Sequence, residues 1–121
     1  MTRSVLVIDD DPLIRRLIAA TLQDVGGFAV HEAEDGEAGL AAAAELTPAV
    51  VLVDFEMPGI SGVETCRRLR AAGSTATVVM LTGSADSDTE VQARAAGVDR
   101  FLTKPFSPLE VLRLVDRVGR Q

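Results

Sequence analysis

Disulfides, membrane spans and a basic surface are all missing from this chain. It carries a single cysteine, Cys66, so no internal disulfide can form, which fits a reducing compartment. No apolar stretch reaches the ~20 residues of a transmembrane helix, and the N-terminus lacks the apolar core of a signal peptide. Cytoplasmic residence without a membrane partner is the expectation. The net charge is -6, against the basic face that direct nucleic-acid binding needs. No repeat, low-complexity tract or internal linker breaks the chain. Lysine is nearly absent as well. Eleven of the twelve basic residues are arginine, and the exception is Lys104. A chain that uses arginine almost everywhere needs a reason for that lysine.

What is present suffices for one packed domain over residues 1–121. With 47% hydrophobic and 25% charged residues, the chain is globular rather than disordered and of ordinary domain length. Val5 to Ile8, Val50 to Val53 and Val78 to Leu81 are continuous, largely β-branched runs. Such runs suit strands buried on both faces of a parallel sheet. Phe28 to His31 and Phe101 to Thr103 are weaker and read as edge strands.

Helical patterns fill the gaps. Ile14, Leu17, Ile18 and Leu22 fall on one helical face, in a helix that should start at Pro12 with Asp11 as N-cap and end near Gly26-Gly27. A second helix spans about Gly36 to Leu46. Three more open with Ser-x-x-Glu capping boxes: Ser61 with Glu64, Ser87 with Glu90, and Ser107 with Glu110,. Gly73, Gly97 and Gly119 stand where C-cap glycines belong. Strand and helix alternate five times. That order predicts an α/β fold, a (βα)5 doubly wound five-stranded parallel sheet. Ligands of such sheets bind beyond the carboxyl ends of the strands.

The residues at those ends are polar. Asp9 and Asp10 follow the first strand, Asp54 the third, Thr82 the fourth, and Lys104 the fifth. Taken singly, each has an ordinary explanation: Asp10 and Asp11 favour a helix N-terminus, Asp54 precedes the Pro58-Gly59 turn, and Thr82 precedes Gly83. Together they put three carboxylates, a hydroxyl and an ammonium at one edge. Carboxylates so clustered suit a hard cation such as Mg²⁺. Lys104 adds a compact charge that a guanidinium does not. These are the parts of a phosphoryl-transfer site.

Four segments, "VLVIDDDP", "VLVDFEMPGISG", "VVMLTGSA" and "FLTKPFSP", resemble in order the signature segments of response-regulator receiver domains of two-component signal transduction. The resemblance covers essentially the whole chain. It implies a flavodoxin-like sheet of order 2-1-3-4-5. It implies Asp54 as phosphoacceptor, with Mg²⁺ held by Asp9, Asp10, Asp54 and the backbone carbonyl of Glu56. Thr82 and Lys104 then bind the phosphoryl group, Phe101 is the aromatic switch, and the Lys104–Pro105 bond is cis. Asp11 falls outside the metal set and keeps its capping role.

The same resemblance sets the partners. His31 is the only histidine and reads as structural or solvent-facing, so the phosphohistidine donor is another protein: a sensor histidine kinase or a histidine phosphotransfer protein. The chain would catalyse only its own phosphorylation and dephosphorylation. The signal would leave through the fourth helix, fifth strand and fifth helix, toward an output domain, a target protein or a second copy of the chain. Glu90 and Glu110, both acidic, do not supply the basic–acidic pair by which the transcription-factor branch dimerises on that face. Cys66 reads as a packed small side chain, and Arg67, Arg68 and Arg70 as a solvated face. Three other readings stay open, one of them a receiver-like scaffold that no longer accepts phosphate. In a haloacid-dehalogenase-like phosphatase Asp9 would be the nucleophile and Asp54 would have no role. A flavodoxin-like FMN module would set three aspartates against the FMN phosphate.

Overall fold

The computed structural model of the protein describes residues 3–83 and 86–119. Five strands alternate with five helices: β1 (Ser4–Ile8), α1 (Pro12–Ala20), β2 (Ala29–Ala33), α2 (Gly36–Leu46), β3 (Val50–Asp54), α3 (Gly62–Ala71), β4 (Thr77–Thr82), α4 (Ser87–Ala95), β5 (Arg100–Thr103) and α5 (Pro108–Gly119). All pairings are parallel, in the order β2-β1-β3-β4-β5. This is the flavodoxin-like doubly wound sheet.

Alternation along each strand feeds two cores, because successive side chains point to opposite faces. Leu6, Ile8, Val51, Val53, Val78 and Met80 pack with Val63, Cys66 and Leu69 of α3 and Ala93 of α4. Val5, Val7, Val50, Leu52, Val79 and Leu81 pack with Ile18 and Leu22 on the other face, and with Val111, Val115 and Val118 of α5. The central strands are covered on both sides, which is why their sequences run apolar without alternation. Cys66 is fully buried and its thiol donates to the Ala96 carbonyl at 3.4 Å, so it is a packed core residue. Burial pushes its pKa up and keeps it a thiol,.

The helix ends follow the capping pattern with two corrections. Asp11 accepts from the N–H groups of Leu13 and Ile14. Ser61 caps α3 through Glu64 N–H, and Ser107 and Glu110 close a reciprocal box on α5,. The expected Ser87–Glu90 box does not form. Asp86 caps α4 instead, accepting from Thr89 N–H at 2.8 Å, while Glu90 pairs with Arg94. A carboxylate outcompetes a hydroxyl for a helix N-terminus because it also meets the dipole. Gly73 and Gly97 end their helices at φ 91° and 105°, whereas Gly119 lies inside the last turn of α5 rather than after it. Beyond Ala20 the first helix continues as a π-wound turn over Thr21–Val25 and stops at Gly26-Gly27.

Candidate functional site

Parallel strands end together, so the residues that close β1, β3, β4 and β5 meet at one edge. Phe55 N–H donates to the Leu81 carbonyl at 2.8 Å, and Lys104 N–H to the Thr82 carbonyl at 2.7 Å. These bonds tie the three strand ends into one rim. The Lys104–Pro105 bond is cis. On the other side, α3 starts hard against β3. A Cβ on Gly62 would overlap the Asp54 carbonyl oxygen, so only glycine lets this helix seat there. The segment around it was legible as a motif, but this contact needed the fold.

Asp9 is fully buried, Asp54 is 7% exposed and Asp10 is exposed. One carboxylate oxygen from each lies within 4.8 Å of the others. Lys104 Nζ sits 3.1 Å from Asp54 Oδ1 and 4.0 Å from Asp9 Oδ2. Asp9 Oδ1 accepts from Asp11 N–H at 2.9 Å, but Asp9 Oδ2 is buried without a hydrogen-bond partner among the described residues. Burial, the largest influence, raises the pKa of both Asp9 and Asp54. The neighbouring carboxylates push the same way, and Lys104 opposes them,. One ammonium for three carboxylates leaves negative charge in excess.

A cavity of ≈ 390 Å³ opens beside Asp54, lined by Glu56, Thr82, Lys104, and by Asp86 and Thr89 at the start of α4. Thr82 is buried at its rim. A larger cleft of ≈ 490 Å³ lies between α2 and α3 near Pro48 and Ala76, at the opposite edge of the sheet. Arg68 is its only charged lining residue, so the smaller cavity is the one equipped for chemistry.

Phe101 is half-buried on β5 and faces the core shared by α3 and α4. The Arg94 guanidinium stands 5.0 Å from its ring centroid, a cation–π distance. Glu90 is engaged by Arg94 at 3.1 Å and Glu110 by the Ser107 N–H at 3.2 Å. Both acidic groups named for the outer face therefore have local partners. His31 is exposed on the edge strand β2, away from the carboxylates.

The expected arginine face holds for Arg67 and Arg68, which pair with Glu64. It fails for Arg70. That side chain turns under the end of α3 and donates to the carbonyls of Ser74, Ala76 and Gly97 and to Asp99 Oδ2. Loop carbonyls without secondary-structure partners draw it in, and they are invisible until the loops are placed.

Fold and site together define a receiver domain, and comparisons with known proteins agree. The family model for the response regulator receiver domain matches residues 5–116, and the chain belongs to that family. It is 38% identical over 117 residues to the transcriptional regulatory protein ResD of Bacillus subtilis, covering 97% of this chain and 48% of that protein. It is 37% identical over 115 residues to the DNA-binding response regulator MtrA of Mycolicibacterium smegmatis, covering 95% and 50%. The chain spans about half the length of the curated relatives it matches. Among solved structures, the chemotaxis protein CheY4 of Vibrio cholerae superposes with a TM-score of 0.93 at 32% identity, covering 98% of this chain and 99% of that one. A receiver domain of two-component signalling is thus the chain's class, and no helix in its described residues is long and apolar enough to cross a membrane.

Proposed function

We propose that the chain is a phosphorylation-controlled switch whose phosphoacceptor is Asp54. The observation that carries this reading is the buried Asp9–Asp54 pair, converging with Asp10 and answered by one ammonium at 3.1 Å. The donor is a phosphohistidine on a sensor histidine kinase or phosphotransfer protein. An Asp54 carboxylate oxygen bonds to phosphorus as the donor's N–P bond breaks, and that electron pair returns to the imidazole nitrogen, which takes a proton from solvent. Lys104 holds the Asp54 carboxylate in its ionised form against the effect of burial, and then sits beside the transferred oxygens. Thr82 offers its hydroxyl to one of them. Water later cleaves the acyl phosphate, returning the carboxylate and releasing phosphate.

The residues fit a divalent cation, because Asp9 Oδ2 is buried without a hydrogen bond among the described residues and hard oxygen donors suit Mg²⁺. Asp9, Asp10, Asp54 and the Glu56 backbone carbonyl would hold it, and when bound it would neutralise charge on the phosphoryl oxygens. Asp9 itself suits a nucleophile poorly. Its side chain is sealed from solvent and its Oδ1 is committed to Asp11 N–H.

Phosphorylation would draw the Thr82 hydroxyl inward and let Phe101 turn into the space behind it. This biases a two-state equilibrium. The face formed by α4, β5 and α5 then changes toward its partner: an output domain, a separate target or a second copy. ResD and MtrA are named as transcriptional and DNA-binding regulators, which supports control of an output of that kind.

Incubation with acetyl phosphate and Mg²⁺ should add one phosphoryl mass to the chain, mapping to Asp54. A chelator or Asp54→Asn should abolish it. Label on Asp9, or undiminished label on Asp54→Asn, would refute the assignment.

A further inference from the structure

Arg15 stands outside the carboxylate cluster, yet its side chain is only 15% exposed. It lies on α1 and reaches in two directions. Nη1 donates to the Asp9 backbone carbonyl at 2.8 Å, and Nε donates to Glu32 Oε1 on β2 at 2.9 Å. The captured carbonyl belongs to the peptide that joins Asp9 to Asp10.

Asp9 does not need this help. Its N–H donates to the Ala33 carbonyl at 3.1 Å and its Oδ1 accepts from Asp11 N–H. Asp10 differs. Its side chain is exposed, and among the described residues no donor hydrogen-bonds to its carboxylate. Rotamer preference apart, the aim of that carboxylate depends on the plane of the peptide before it. Arg15 bonds to the oxygen of that peptide, and Glu32 anchors the other end of Arg15.

We infer that Arg15 is a positioning residue for the metal cluster: it sets the Asp9–Asp10 peptide so that the Asp10 carboxylate meets those of Asp9 and Asp54. The inference rests on the Mg²⁺ reading given above. Arginine suits the task because its planar fork presents separate N–H groups to a carbonyl and a carboxylate at once, in fixed relative geometry. Groups that orient metal ligands typically change affinity by about 10–100-fold when removed. A mere tether between α1 and β2 would lower stability without touching Mg²⁺ affinity.

The test is the melting temperature of the unphosphorylated protein as a function of Mg²⁺, which needs no activity. Arg15→Met should move the whole curve of melting temperature against log Mg²⁺ concentration to about 10-fold higher Mg²⁺. Arg15→Lys, which can satisfy one acceptor at a time, should fall between. Labelling of Asp54 by acetyl phosphate should slow at low Mg²⁺ and recover toward the wild-type rate at saturation, an affinity effect rather than a rate effect. An Arg15→Met protein whose melting temperature begins to rise at the same Mg²⁺ concentration as that of the wild type overturns the inference, whatever its melting temperature without metal. If Arg15→Met does not fold, Glu32→Ala, which removes the acceptor altogether, carries the test. Loosening the far end of the arginine should move the curve to about twofold higher Mg²⁺ or more, and an unmoved curve overturns the proposal. A wild type that ignores Mg²⁺ would instead remove the metal reading itself, a different failure from that of Arg15.

Discussion

The two edges of this sheet use charge in opposite ways. At the amino-terminal edge, the Arg70 guanidinium satisfies carbonyls at Ser74, Ala76 and Gly97 together with Asp99, and Asp99 Oδ2 also accepts from Val78 N–H. Donors and acceptors match, and the loops entering β4 and β5 are locked to the end of α3. At the carboxyl-terminal edge, three carboxylates face one lysine, and a buried Asp9 oxygen lacks a hydrogen bond among the described residues. A buried polar group left unsatisfied costs free energy. The sheet completes its network at one edge and leaves it incomplete at the other, where the three carboxylates could hold a metal ion.

The largest effect should come from breaking the completed edge. Arg70→Ala strips a donor from four acceptors. It should lower stability by about 2–3 kcal/mol, roughly 10 °C in melting temperature for a domain of this size. The Mg²⁺ dependence of melting should survive. Its loss together with stability would show that the two edges are coupled rather than independent.

The acidic edge should answer with the opposite sign. In chelator near pH 7, Asp54→Asn should stabilise the protein by about 1 kcal/mol, through relief of like-charge repulsion and burial. Acid should act similarly on the wild type. Both Asp9 and Asp54 have pKa values raised in the fold by burial, so the folded chain binds protons more readily than the unfolded one. Their contribution to stability is full below the ordinary carboxylate pKa and is lost as pH rises through their folded values. Melting curves in chelator should therefore show Asp54→Asn gaining less than the wild type when the pH is lowered from neutral into the mildly acidic range. Parallel pH profiles for the two proteins would mean that Asp54 carries no such burden.

The smallest effect falls on an exposed flank. Arg94 is half-exposed, paired with Glu90 and stacked on Phe101. Arg94→Met should cost only about 0.5 kcal/mol, yet it should shift the ring resonances of Phe101 in NMR spectra. A ring whose resonances stay put would mean that the stacking has no hold on the Phe101 side chain.

Much of this was legible in the chain itself. Doubly buried parallel strands leave continuous apolar runs, so Val5 to Ile8, Val50 to Val53 and Val78 to Leu81 declared themselves. Parallel strands also end on one edge, so the polar residues after each run had to meet there. Asp11 was readable as a cap because the N-cap bond is made within a few residues of sequence. Local capping was less secure where two acceptors competed, and Asp86 displaced Ser87 on α4.

What the sequence determined by itself was therefore periodic or local: the alternation of strands and helices, their order, and which residues end each strand. Only the tertiary structure decided the rest. It divided Asp9, sealed from solvent, from Asp10 beside it in the chain and exposed. It separated Arg70, drawn under loop carbonyls, from Arg67 and Arg68 on the open flank. It also brought Arg15 onto the Asp9 carbonyl and set Gly62 against Asp54. The physical reason is the same in each case. Burial and long-range hydrogen bonding depend on which distant atoms arrive beside a residue, and no short window of sequence carries that information.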